Sequence, residues 1–426
     1  MFNNITDLIS WIESQKRMVP KISLDRMRRI CELFGNPQAG LKYIHVGGTN
    51  GKGSTVSFIK TVLLEAGYNI GTFISPYVDV FNERIAFNNQ YISDDELLEL
   101  GNYIIGKYYL FDDNDISRPS FFEFITLMAF IYFSRQSQID LVILEVGLGG
   151  LLDATNIIIP LVTVITSISY DHEKVLGTSL QEIARNKLGI VKSGVPLVTL
   201  KNEDVFDIVR TAVTEKQSPL VLIDPKDIKN IKATLDYTSF DYQDYHNLEV
   251  GLLGFHQAEN AVLALRTIRV LSDIYGYRIN TAALRRGLRL TKWPGRLQLI
   301  SQNPVILLDG AHNPGGIVRL VEFLQSIKGG KYLRVVFAVS ADKDKPEMIQ
   351  TLDEVADEII FTRFGYKRSD TAENLIQLSH HYNKRLENDW QTLLTMAFAD
   401  KTSISVFCGS LYFVSEIYNY LKKMHP

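Results

Sequence analysis

A mostly parallel α/β architecture in two domains is the fold this sequence predicts. Short β-branched or apolar runs alternate with small-residue turns and stretches of helical period, the pattern of a parallel sheet covered by helices. The first of these runs leads into a loop with four glycines in positions 47–53, followed by a helical stretch. The chain has 426 residues, beyond the size at which one hydrophobic core usually keeps growing, so two cores are expected.

Taken in order, strands are predicted at 43–46, 70–74, 141–146, 162–166 and 196–200, with helices after most of them. Ser120-Phe121-Phe122-Glu123 has the spacing of a helix capping box ahead of an apolar run, and the polar stretch 112–117 reads as a loop. Residues 224–250, rich in Tyr, Asp and Thr, could form a β-meander on the first domain. A second strand–helix series follows at 305–308, 333–339, 358–361 and 404–407. Trp293-Pro294-Gly295-Arg296 interrupts the helical period between the two series, so the domains are expected to span 1–297 and 298–426.

Composition narrows the function classes. Forty-five basic residues against forty-eight acidic ones leave a net charge of −3 with no long run of one sign, which gives no electrostatic footprint for nucleic acid. Only two cysteines occur, Cys31 and Cys408, without Cys-x-x-Cys spacing, which argues against a disulfide scaffold or thiolate zinc site and fits a reducing cytoplasm. The first 17 residues do not read as a signal peptide, and the apolar stretches 124–133 and 157–165 are too short to span a bilayer, so a soluble protein is expected.

The loop His45-Val46-Gly47-Gly48-Thr49-Asn50-Gly51-Lys52-Gly53-Ser54 carries the clearest chemistry. Glycines let backbone N–H groups approach phosphate and the helix start adds partial positive charge. Lys52 can reach the terminal phosphates, and the Ser54 hydroxyl can hold phosphate or magnesium. Gly53 separates Lys52 from Ser54, so the loop departs from the usual Gly-Lys-Ser/Thr ending. The plain alternative is a strand-to-helix turn.

Glu145 ends an apolar strand and precedes Gly147-Leu148-Gly149-Gly150, which places a carboxylate where open α/β sheets bind ligands and suggests a metal-binding role. The next strand runs into Asp171-His172, a second pair of candidate ligands; magnesium prefers oxygen donors, so an imidazole contact would also admit manganese. Lys187, on a predicted helix, reads by pattern alone as a solvated surface lysine. In the second domain Asp309-Gly310-Ala311-His312-Asn313-Pro314 should put Asp309 and His312 at the sheet's carboxyl edge, with a helix start built from Asn, Pro and Gly as the alternative.

Together these segments resemble the folylpolyglutamate synthase and dihydrofolate synthase family, a branch of the Mur-type ligases, over nearly the whole chain. The resemblance is carried by 45–54, Ser75-Pro76, Phe81-Asn82-Glu83-Arg84-Ile85, 145–156, Asp171-His172 and Lys187. Gly254-Phe255-His256-Gln257 with Asn260, Trp293-Pro294-Gly295-Arg296, 309–314 and Ser410-Leu411-Tyr412 continue it in order. It implies a P-loop-containing ATPase domain with a mostly parallel sheet, plus a smaller Rossmann-like C-terminal domain.

It also implies a reaction in which a folate or dihydropteroate carboxylate is activated by ATP as an acyl phosphate and then captured by L-glutamate. Thr49, Asn50, Gly51, Lys52, Gly53, Ser54, Asn260, Arg296 and Asp309 would hold ATP. Ser54, Ser75, Glu145, His172 and Lys187 would hold Mg2+, Lys187 as a carbamate, while Lys52, Lys187, Asp309 and His312 would serve the chemistry. A monomer is the family expectation. The chain departs from the family pattern at Tyr77, Leu151 and Asn186, where His, Arg and Glu are common. The alternatives are a Mur-type ligase acting on another carboxylate, which would normally carry a further N-terminal domain, and an ATP-binding module that has lost ligation.

Overall fold

The computed structural model describes residues 1–16, 23–114, 116–366 and 368–424. Arg17 and Asp115, which fall in the N-terminal and 112–117 readings, lie outside these. The chain divides by contacts into two units, one of residues 1–225 and 260–287 and one of residues 226–259 and 288–426.

The first unit is built on an eight-stranded sheet. Its strands are β1 (Tyr43–Gly47), β2 (Ile70–Phe73), β3 (Ile85–Phe87), β4 (Gln90–Tyr91), β5 (Leu141–Glu145), β6 (Val162–Ile165), β7 (Leu197–Leu200) and β8 (Leu220–Ile223), in the spatial order β4-β3-β2-β5-β1-β6-β7-β8. From β2 to β8 all neighbours are parallel; β3 and β4 extend the sheet as an antiparallel edge. The central strands β1, β5 and β6 are buried along their whole length, which is why they read as continuous apolar runs rather than alternating ones. On one face lies the apolar helix Phe121–Ser134, whose Phe124, Phe130 and Phe133 pack with Leu8, Ile104 and Leu144. The predicted capping box is present there, with Ser120 N–H and hydroxyl donating to Glu123 at 2.9 and 2.6 Å. The 112–117 reading is corrected in part: Asp112 and Asp113 close a short helix, Tyr109–Asp113.

The second unit holds a three-stranded antiparallel ribbon, β9 (Ile228–Ala233), β10 (Thr238–Tyr242) and β11 (Tyr245–Val250), and a six-stranded sheet. The sheet contains β12 (Gln298–Gln302), β13 (Val305–Asp309), β14 (Tyr332–Phe337), β15 (Glu358–Phe361), β16 (Lys384–Leu386) and β17 (Ser403–Cys408), ordered β12-β13-β17-β14-β15-β16 and parallel except at β12. The meander expected at 224–250 is this ribbon, but it groups with the second unit rather than the first. Ala233, Leu235 and Leu253 pack on the core of Leu307, Val335 and Val406, so the burial of the ribbon's apolar side decides its membership. Linear order along the chain could not show this.

Candidate active site

Four adjacent parallel strands of the first unit, β2, β5, β1 and β6, finish level with one another. Phe73 pairs with Leu144, Val46 with Glu145, and Gly47 with Ile165. Ser75, Glu145, the glycine loop and the 166–172 segment therefore share the carboxyl edge, where ligands bind in open parallel sheets.

The loop after β1 enters the helix Lys52–Glu65 through Gly51, at φ +88° and with no side-chain cap on the helix start. Ser54 is buried in the first turn. An uncapped helix N-terminus leaves backbone donors for an anion. The loop is laced to the neighbouring segment: Thr49 N–H donates to the Ser167 carbonyl at 2.7 Å, Asn50 N–H to Ser167 Oγ at 3.0 Å, and Thr166 Oγ1 to the Asn50 carbonyl at 2.7 Å. Gly48, at φ +138°, leaves no room for a Cβ, which would stand 2.0 Å from Thr166 Oγ1. A Cβ on Gly51 would stand 2.3 Å from Asn260 Oδ1. The glycines are thus demanded by close approach as well as by backbone angle. Lys52 Nζ donates back to the Gly48 and Thr49 carbonyls at 3.2 and 3.1 Å, so it braces the loop it belongs to.

Lys187 corrects the surface-lysine reading. It is buried, and its Nζ donates to the Gly48 carbonyl at 3.0 Å. Burial pulls its pKa down to about 7, with Lys52 pushing the same way and Asp171 opposing. A neutral fraction of the amine is therefore available near neutral pH. Ser75 N–H donates to Glu145 Oε2 at 3.2 Å, and Ser75 Oγ is a buried hydroxyl without a protein partner. His172 stands apart in character: it adopts φ +53° before the short helix Glu173–Leu176, its side chain is 41% exposed, and its Nε2 lies 3.8 Å from Asp171 Oδ1. Among the described residues no group of three His, Cys, Asp or Glu side chains is placed to hold a metal.

The three departures from the family pattern have definite settings. Leu151 is exposed, but its N–H donates to the Asn186 carbonyl at 2.8 Å. Tyr77 donates its hydroxyl to Glu13 at 3.2 Å, and the Arg84 guanidinium lies 5.0 Å from the Tyr77 ring centroid, with Phe81 and Phe121 each at 5.4 Å. Glu123, read from spacing as a cap, also pairs with Arg26 at 3.0 Å. Sequence reasoning passed over that ion pair and over the lacing by Thr166 and Ser167. A hydroxyl-rich run directly after a buried strand was the available signal for the latter.

In the second unit Asp309 ends β13 and is buried. Burial raises its pKa, against the lowering effect of Arg296 and of N–H donors from Leu297 and Ala311 at 2.7 and 2.9 Å. The carboxylate thereby ties the linker before β12 to the turn after β13. His312 Nδ1 lies 2.8 Å from the Gly310 carbonyl, and Asn313 caps the helix Pro314–Lys328. The turn is thus a capped helix start, and Asp309 has a structural task alongside any chemical one.

These two sheets and the glycine-loop edge define a class. Residues 46–268 match the Mur ligase middle domain and residues 295–411 the Mur ligase glutamate ligase domain. The chain is 37% identical to a dihydrofolate synthase/folylpolyglutamate synthase of Bacillus subtilis over 99% of its own length and 100% of the relative's. It superposes on the apo form of a folylpolyglutamate synthase from Lacticaseibacillus casei with a TM-score of 0.87 at 31% identity, covering 98% of this chain and 100% of that one. For a folylpolyglutamate synthase complexed with AMPPCP and folate the TM-score is 0.86 at 32% identity, with 98% and 99% covered. The chain belongs to the folylpolyglutamate synthase/dihydrofolate synthase family of Mur-type ligases.

Proposed function

We propose that this chain is an ATP-dependent carbon–nitrogen ligase that joins L-glutamate to the carboxylate of a folate, and that it also joins glutamate to dihydropteroate. The observation that carries the reading is the convergence at one sheet edge of a laced glycine loop, an uncapped helix start, two lysines on that loop's carbonyls and the Ser75–Glu145 pair. A substrate carboxylate oxygen attacks the γ-phosphorus, the bond to the β–γ bridging oxygen breaks, and ADP leaves. The glutamate amine then attacks the acyl carbon, losing a proton as inorganic phosphate departs and the amide forms. Such transfers depend on positioning and charge stabilisation more than on covalent help from the protein.

In this reading Thr49, Asn50, Gly51, Gly53 and Ser54 cradle the phosphates with Lys52, while Asn260, Arg296 and Asp309 complete the nucleotide contacts. His312 serves the reacting carboxylate. The donor chemistry fits Mg2+, with Mn2+ also compatible, because Ser75 offers a buried unpartnered oxygen beside Glu145. Ser54, Ser75, Glu145, His172 and a carbamylated Lys187 would hold the metal, which would neutralise charge on the transferring phosphoryl group. The lowered pKa of Lys187 supports carbamylation, since only the neutral amine takes up CO2. A division of labour near Gln298, with an ATP-binding part before it and a ligase part after it, is supported by family matches that end at 268 and resume at 295. Function as a monomer in the cytoplasm belongs to the same proposal. Among the described residues no helix is long and apolar enough to cross a membrane.

The test is direct. The pure protein with ATP, magnesium, glutamate and either tetrahydrofolate or dihydropteroate should release ADP and yield a product heavier by one glutamyl group. ADP release that needs neither pterin overturns the reading.

A further inference from the structure

β1 carries one residue that its apolar surroundings do not call for. His45 is wholly buried two positions before Gly47, and its Nε2 lies 2.8 Å from Thr155 Oγ1. Thr155 is itself buried and donates its one hydroxyl proton to Asp153 Oδ1 at 2.6 Å. The imidazole must therefore supply the proton of the His45–Thr155 bond, which makes it the neutral Nε2–H form and leaves Nδ1 as a buried acceptor without a partner. Burial agrees, holding the imidazole pKa down to about 3.

The relay ends on a loop. Asp153 also accepts N–H groups from Thr155 at 3.0 Å and, through Oδ2, from Leu148 at 3.0 Å, closing the turn that follows Glu145. The same loop grips the end of the helix Leu180–Leu188: Leu151 N–H donates to the Asn186 carbonyl at 2.8 Å, and Asn156 Nδ2 donates to the Gly189 carbonyl at 3.0 Å. That helix end carries Lys187, whose amine lies on the Gly48 carbonyl. The root of the phosphate loop is thus connected by His45, Thr155, Asp153 and the 147–156 loop to the lysine that returns to the same loop.

We propose that His45 is a positioning residue for ATP use, acting through Thr155 and Asp153 to hold the 147–156 loop and Lys187 in register with the phosphate loop. This rests on the ligase reading above. An apolar residue would fill the strand position with less polar burial, but it could not donate to a hydroxyl already committed to a carboxylate.

The experiment compares Thr155→Val and His45→Phe, which break the relay, with Thr155→Ser and His45→Gln, which keep a hydroxyl or an N–H at the same reach. Pterin- and glutamate-dependent ADP release should fall in kcat on the order of 10- to 100-fold in the first pair, the usual cost of losing a supporting hydrogen bond around a site. KM for ATP should stay near the wild-type value, and the second pair should recover most of the rate. Nitrogen-15 NMR of the wild-type imidazole should find the proton on Nε2 at neutral pH. Wild-type kcat in folded Thr155→Val, an equal loss in Thr155→Ser, or a proton on Nδ1 overturns the proposal. Because the tautomer is read without turnover, an inactive wild-type chain would count against the ligase reading and leave the relay to be judged by the NMR result.

Discussion

Single residues divide into those whose chemistry shows in their type and those whose setting changes it. Glu145 belongs to the first kind: a carboxylate ending an apolar strand beside a glycine loop is conspicuous. Its replacement by Gln should lower turnover at least on the order of 10- to 100-fold with the fold retained, as circular dichroism and activity together would show. Lys187 belongs to the second kind, because a lysine on a helix defaults to solvent. The signal was nonetheless present, since Lys187 falls four positions after buried Ile183 on the helix face shared with Ala184 and Leu188. Carbon-13 bicarbonate NMR should show a carbamate that disappears in Lys187→Ala, and small carboxylates should restore part of that variant's lost activity. His45 makes stability depend on pH. Its folded pKa of about 3 lies below its ordinary 6.5, so in that window the unfolded chain holds a proton that the folded chain lacks. Stability from this group therefore falls as pH drops through 6.5 and goes on falling toward 3. His45→Gln should flatten that part of the profile of urea midpoint against pH.

At the scale of elements, the loop after β1 needs its glycines for more than one reason. The glycine spacing suggests room for phosphate; in the fold Gly48 and Gly51 also admit the neighbouring Thr166 and Asn260 side chains. Gly48→Ala and Gly51→Ala should therefore raise KM for ATP strongly while secondary structure persists, and isothermal calorimetry with a non-hydrolysable nucleotide is the measurement. The start of the helix Phe121–Ser134 combines a capping box with the Arg26–Glu123 ion pair. Ser120→Ala should cost about 1 kcal/mol of stability, as cap removals do. Only the cap was legible beforehand, because Arg26 is nearly a hundred positions away in sequence and ion pairs have no local spacing rule.

For the whole molecule, membership of a core follows burial rather than chain order. The ribbon β9–β11 precedes the linker yet packs with the second sheet's core through Ala233, Leu235 and Leu253. A fragment of residues 1–297 should consequently expose that apolar face and bind a hydrophobic dye such as ANS far more than the intact chain; equal dye binding would count against this packing. By itself the sequence determined the parallel α/β class, the strands β1, β5, β6 and β13, the glycine loop between strand and helix and the family, because periodicity, glycine spacing and motif order are local and survive in one dimension. Tertiary structure alone decided that the partner of Lys187 is the Gly48 carbonyl, that Thr166 and Ser167 lace the loop, that His45 reaches Thr155 and that the ribbon joins the second unit. Each of those depends on which distant segments a sheet brings side by side, and on the desolvation that follows, neither of which any short window of residues encodes.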